Sequence, residues 1–99
     1  MKQWKNQWDY EKLKPTSQYK KDYKRYRNNP TKVKKLFDIL ELLRQEKPIQ
    51  EENRPHPLTG NYRGHMECHI EGDFLLIWMD PNNDIISLVR LGSHSESFE

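Results

Sequence analysis

The chain has 99 residues, with 17 Lys and Arg against 15 Asp and Glu, four His, one Cys and a mean hydropathy of −1.15. That length supports one modest core and excludes a catalytic domain joined to a separate binding domain, while the longest apolar run, Phe74 to Met79, is far too short to span a membrane. The net charge hides a division: residues 1–47 carry 14 basic against 6 acidic side chains, a net +8, and residues 48–99 carry 3 against 9, a net −6.

Residues 1–9, with Trp4 and Trp8, read as an N-terminal extension of a single domain, and the polar start from Met1 to Asn6 shows no signal peptide. Tyr10 to Lys14 reads as a short strand ended by Pro15, which cannot donate to a ladder. Thr16 or Ser17 then caps a helix running to about Asn28, with Tyr19, Tyr23 and Tyr26 on one stripe and Lys20, Lys21, Lys24, Arg25 and Arg27 over the rest. Asn28-Asn29-Pro30 stops it, and Thr31 caps a second helix. In that helix Val33, Leu36, Phe37, Leu40 and Leu43 follow helical spacing up to Pro48.

After Pro48 the period changes. A polar loop holds His56 between two prolines and ends at Gly60. From Tyr62 the pattern alternates, with Met66, Cys68 and Ile70 expected on one side and His65, Glu67 and His69 on the other. Glu71-Gly72-Asp73 turns into Phe74 to Met79, and Asp80 to Asp84 turns into Ile85 to Leu91. Short turns between three strands predict an antiparallel meander near residues 62–91, with the two helices covering its apolar face. The lone Cys68 cannot make an intrachain disulfide, which fits a reducing cytoplasm.

The stripe of His65, Glu67 and His69 has three readings. It is a solvated strand face, a metal site, or acid–base machinery. The metal reading lacks the helical HExxH spacing and the paired cysteines of structural zinc sites, so no metal is expected. The acid–base reading gains from Arg90, which sits among apolar residues in Leu88-Val89-Arg90-Leu91, where a guanidinium is costly unless it meets an anion. A basic front half beside groups that titrate near neutral pH suits a protein that holds a polyanion and moves protons on it. On composition alone the helical lysines are a solvated face, and His94 and Phe98 are a terminal tail.

Four segments, taken in order, resemble YafQ-type toxins of the RelE superfamily. They are His56-Pro57-Leu58-Thr59-Gly60, Tyr62-Arg63-Gly64, Glu67 to Trp78 with its Glu-Cys-His-Ile-Glu-Gly-Asp start, and Leu88-Val89-Arg90-Leu91-Gly92-Ser93-His94. The likeness runs from about residue 10 to the C-terminus. The toxin for which the family is named has Asp where Glu67 stands and Trp where Phe74 stands, and relatives commonly have Leu where Ser97 stands.

The resemblance implies an α+β, RelE-like βααβββ fold, an antiparallel sheet with two helices packed on one face. It implies a ribosome-dependent mRNA endonuclease without cofactor, acting in the cytoplasm on mRNA in the ribosomal A site and held by a cognate antitoxin. His56, Glu67, His69, Asp73 and His94 would then be catalytic, with His69 and His94 the main proton-transfer pair. Arg90 would bind the scissile phosphate and Phe98 would stack on a base. Lys20, Lys21 and Lys24 become candidate contacts to ribosomal RNA through sequence-independent phosphate pairing. The alternative from another class is a catalytically inactive RelE-fold module that binds nucleic acid or a protein partner.

Overall fold

A computed structural model describes residues 12–80 and 85–93 of the chain. The described order is β1 (Leu13–Pro15), α1 (Ser17–Lys24), α2 (Pro30–Arg44), β2 (His56–Pro57), β3 (Met66–Glu71), β4 (Phe74–Met79) and β5 (Ile86–Gly92). The strands form one sheet in the order β1-β5-β4-β3-β2. The expected antiparallel meander is present as β3, β4 and β5, while β1 joins the far edge parallel to β5, with Leu13 opposite Ile86. The two-residue β2 lies within the stretch whose composition predicts a polar loop. It pairs antiparallel with β3 and places His56 opposite Glu67.

Thr16 links β1 to α1. Its backbone N–H continues the β1 pairing by donating to Leu88 O at 3.0 Å, and its hydroxyl accepts from Tyr19 N at 3.1 Å, capping the helix. The regular helix ends at Lys24 rather than near Asn28, and residues 25–28 continue as turns. The cap of α2 also differs from expectation. Asn29, not Thr31, accepts from Lys32 N, and Pro30 occupies the first turn. Proline suits that position because its fixed φ is already helical and its missing N–H would have no intrahelical partner there. At the other end α2 stops at Arg44, where Glu46 takes φ 59° and Lys47 N bonds back to Leu42 O, so a left-handed turn ends the helix before Pro48 is reached.

The helix-side core holds Leu13, Tyr19, Leu36, Leu40, Cys68, Leu76, Leu88 and Leu91, all with no exposed surface, and Tyr23, Tyr26 and Val33 pack against it. The tyrosine stripe is therefore core, as its spacing predicts. Burial pushes the Tyr19 hydroxyl upward and the Cys68 thiol up to about 12. Leu75 and Ile77 are equally buried but lie outside that cluster, alternating with Leu76 along β4, so the central strand is apolar on both faces.

A bulge in β5 decides where Arg90 goes. Strict alternation from Ile86 and Leu88 would put Arg90 in the helix-side core and Leu91 outside it. Instead Trp78 pairs with Leu88, Ile77 with Arg90 and Leu76 with Leu91, which leaves Val89 as the extra residue. One inserted residue exchanges the faces of everything beyond it, so Leu91 enters the core and Arg90 joins the opposite face.

Candidate active site

Register builds a row of side chains across four strands. His56 pairs with Glu67, Glu67 with Ile77, and Ile77 with Arg90. The next row is His69, Leu75 and Gly92. Two imidazoles and a carboxylate thus stand at one end of an apolar floor, with a guanidinium three strands from His56 and two from Glu67 and His69, the latter about 10 Å at the usual spacing of strands.

At the histidine end lies an open cleft of about 620 Å³, lined by Arg54, Pro55, His56, Leu58, Glu67 and His69. Glu67 is only 2% exposed, which corrects the expectation that it points to solvent with His65. Its Oε1 lies 3.0 Å from His56 Nε2, and His56 Nδ1–H donates to Arg54 O at 2.7 Å. The ring is therefore held from both nitrogens. Arg54 reaches it from a left-handed backbone at φ 50°, a strained geometry for a residue with a side chain and one that collects at working sites.

His69 Nδ1–H donates to Gly72 O at 3.2 Å, which leaves Nε2 as the nitrogen that carries the lone pair. The backbone of His69 is pinned in turn, its carbonyl accepting from Asn53 Nδ2 at 2.8 Å. The His56 and His69 rings sit 6.2 Å apart, tilted by 40°. That separation leaves room for one reacting group between them. Asp73 is exposed in the turn just beyond Gly72.

His65 is not part of this cleft. It precedes β3, directs Nδ1 to Tyr62 O at 3.1 Å and meets the Tyr62 ring edge-on, so its job is to fold the loop back on itself. Among the described residues no three His, Cys, Asp or Glu side chains converge as a metal site. His94 and Phe98 lie outside the described residues, as do Trp4 and Trp8. Gly92, two residues before His94, stands across β4 from His69.

The anion that Arg90 requires is Asp22 of α1, which the sequence reading passed over. Arg90 Nε donates to Asp22 Oδ2 at 2.9 Å, and this hydrogen bond holds the guanidinium above its ordinary range. The signal was available: Asp22 is the one acid in residues 17–28 and lies among Tyr19, Tyr23 and Tyr26 on the apolar stripe.

The basic surface is narrower than its sequence suggests. Lys32 and Lys35 both pair with Glu71, at 2.8 and 2.9 Å, and Lys34 pairs with Asp38. Lys20, Lys21 and Lys24 remain exposed along α1. Phe74 is 3% exposed on the helix side, against Tyr26 and under the Lys32 ammonium.

A family model described as the bacterial toxin of a type II toxin–antitoxin system, YafQ, matches residues 11–99. The chain belongs to the YafQ family. The mRNA interferase toxin YafQ of Escherichia coli K12 is 29% identical over 84 residues, covering 84% of this chain and 90% of that protein. A metal-bound toxin from Helicobacter pylori is 32% identical, covers 88% of this chain and 98% of its own, and superposes with a TM-score of 0.77. The toxin of the E. coli DinJ-YafQ toxin-antitoxin complex is 26% identical over 91% of this chain and all of its own, with a TM-score of 0.78. The RelE-like fold expected from the motifs is thus the fold observed, and the chain is a toxin of a type II toxin–antitoxin system. Relatives in the YafQ family are named as mRNA interferases.

Proposed function

We propose that this YafQ-family chain is a ribosome-dependent mRNA endonuclease that cuts by metal-independent acid–base chemistry in the cytoplasm and is restrained by a cognate antitoxin. The observation that carries the reading is the pair of oriented imidazoles, His56 and His69, over one open cleft with Glu67 buried behind the first.

Cleavage needs a base to take the 2′-OH proton, so that this oxygen can attack the adjacent phosphorus. It also needs an acid to protonate the departing 5′-oxygen and a cation to hold the charge gathered on phosphorus. The products are a 2′,3′-cyclic phosphate and a 5′-hydroxyl. Histidine serves either proton-transfer role near neutral pH. In this reading His69 and His94 carry the proton transfers, with His56 beside them. Glu67 orients His56 from below the cleft surface and does not itself touch RNA. Asp73 follows in the chain the Gly72 carbonyl that orients His69 and supports that histidine, Arg90 binds the scissile phosphate, and Phe98 stacks on a base.

Lys20, Lys21 and Lys24 supply phosphate contacts to ribosomal RNA from the outer side of α1, an interaction that weakens with added salt. A surface of this charge must be neutralised in the cell that makes it, and an antitoxin with an acidic segment is the fitting partner. The likeness to the toxin of the DinJ-YafQ complex supports that partner class.

Mapping 5′ ends on an mRNA translated with and without the purified protein tests the reading. New ends confined to the translated frame are expected. A folded protein that binds ribosomes yet produces no new ends would favour the inactive binding module.

A further inference from the structure

An arginine that must grip a phosphate in one orientation is poorly fixed by its own strand. The bulge at Val89 turns Arg90 away from the core, but its long side chain keeps many rotamers unless something holds the guanidinium. Asp22, 1% exposed, has both oxygens engaged: Oδ2 accepts from Arg90 Nε and from Leu91 N, each at 2.9 Å, and Oδ1 accepts from Arg90 Nη2 at 3.4 Å and from Gln18 Nε2 at 3.1 Å. Tyr62, in the loop before β3, also favours the charged form of the same guanidinium. A carboxylate buried this way grips the inner edge of the guanidinium fork and directs the outer edge elsewhere.

We propose that Asp22 is the positioning residue for Arg90, holding its Nε edge from α1 so that the outer edge of the fork faces the scissile phosphate. The inference rests on the reading that Arg90 binds that phosphate. It also joins the basic helix to the site, since α1 carries Asp22 on its buried side and Lys20, Lys21 and Lys24 on its exposed side.

Asp22 also ties the sheet edge through Leu91 N–H, so the test must separate orientation from folding. Two substitutions do so in opposite senses. Asp22→Asn keeps an acceptor for Arg90 Nε and Leu91 N while removing the charge. Asp22→Glu keeps the charge and moves it by a methylene. Cleavage of mRNA on programmed ribosomes, resolved into kcat and KM, is measured for both, for Arg90→Ala and for the double variants, alongside thermal melting.

A displaced guanidinium should lower kcat about 10²-fold in Asp22→Glu with KM little changed, and Asp22→Asn should recover most of that loss. In the Arg90→Ala background Asp22→Glu should change kcat no further. The inference is overturned if Asp22→Asn is slower than Asp22→Glu, which would make charge rather than orientation the requirement. It is equally overturned if Asp22→Glu costs the same factor without Arg90, or cleaves at the wild-type rate while Arg90→Ala is impaired. Wild-type cleavage by Arg90→Ala would instead remove the phosphate role on which the inference rests. Should Asp22→Glu not fold, Asp22→Ser, which withdraws the Arg90 contacts without adding volume, takes its place under the same criteria.

Discussion

Glu67 and His56 face each other across β2 and β3, Oε1 to Nε2 at 3.0 Å, with the carboxylate buried and the imidazole at the cleft surface. Because His56 Nδ1–H is already given to Arg54 O, Nε2 is the nitrogen that meets the Glu67 carboxylate, and the two contacts fix the ring at the cleft. Substitution by glutamine keeps the shape of the side chain and removes the charge that faces Nε2, which loosens the hold on the ring. Glu67→Gln is therefore expected to lower ribosome-dependent mRNA cleavage by about tenfold or more while changing thermal stability little. Wild-type cleavage by Glu67→Gln would show that this pair only folds the loop.

His69 and His65 give opposite expectations although they lie four residues apart. His69 lines the cleft with its tautomer set by Gly72 O, whereas His65 is spent on Tyr62. His69→Ala and His94→Ala should each lower cleavage by at least about tenfold, since a lost acid or base usually costs about 10²–10⁴-fold. Folding and antitoxin binding should be nearly unchanged in both. His65→Ala should cleave close to the wild-type rate and lose about 0.5–1.5 kcal/mol of stability, the worth of a side-chain hydrogen bond. Wild-type rates in both His69→Ala and His94→Ala would refute the proposed chemistry.

Periodicity made the helices and the three-strand meander readable because each has one apolar face, and the switch at Pro48 from a helical to an alternating pattern marks where one layer gives way to the other. What it could not reveal is anything set by pairing across long separations. The strand His56–Pro57 has two residues and no period of its own, and it exists only because Glu67 and Met66 lie opposite it. The parallel attachment of β1 likewise depends on Ile86, Ser87 and Leu88, more than seventy residues away in the chain. The Val89 bulge is invisible for a related reason. Alternation read through Leu88, Val89 and Arg90 assigns Arg90 to the core, and only the pairing with β4 shows the slip. The motif likeness found the histidines and Arg90 but not Asp22, whose partner is sixty-eight positions away. Nor did it show that Glu67 is buried, because alternation specifies a face and not whether a loop covers it.

Metal dependence gives a sharp test, since a metal-bound relative is known and the cleft holds two imidazoles and a carboxylate. The Glu67 carboxylate is committed to His56. Cleavage is accordingly expected to be unchanged, within about twofold, after exhaustive chelation of the purified toxin, because both proton transfers are assigned to side chains. Activity that vanishes with chelator and returns with added zinc would overturn the metal-independent mechanism.

Glu71 provides a pH signature unrelated to catalysis. It ends β3, accepts from Lys32 and Lys35 of α2, and thereby clamps helix to sheet. Those hydrogen bonds, with the two ammonium charges, hold its carboxyl down at about 2. The folded value lies below the unfolded one of about 4.3, so the stabilisation is fully present above the unfolded value and is lost as pH falls toward 2. Glu71→Gln should lower the Tm at pH 7 by about 2–5 °C, the shift expected when partly exposed pairs are lost from a domain of this size. The same substitution should have only a small effect near pH 2, where about half of the wild-type carboxyl is itself protonated. Added salt should shrink the difference at pH 7, because these pairs are only partly buried. A Tm difference between wild type and Glu71→Gln that stayed constant from pH 7 to pH 2 would show that the side chain acts through packing and that the lysine clamp contributes nothing.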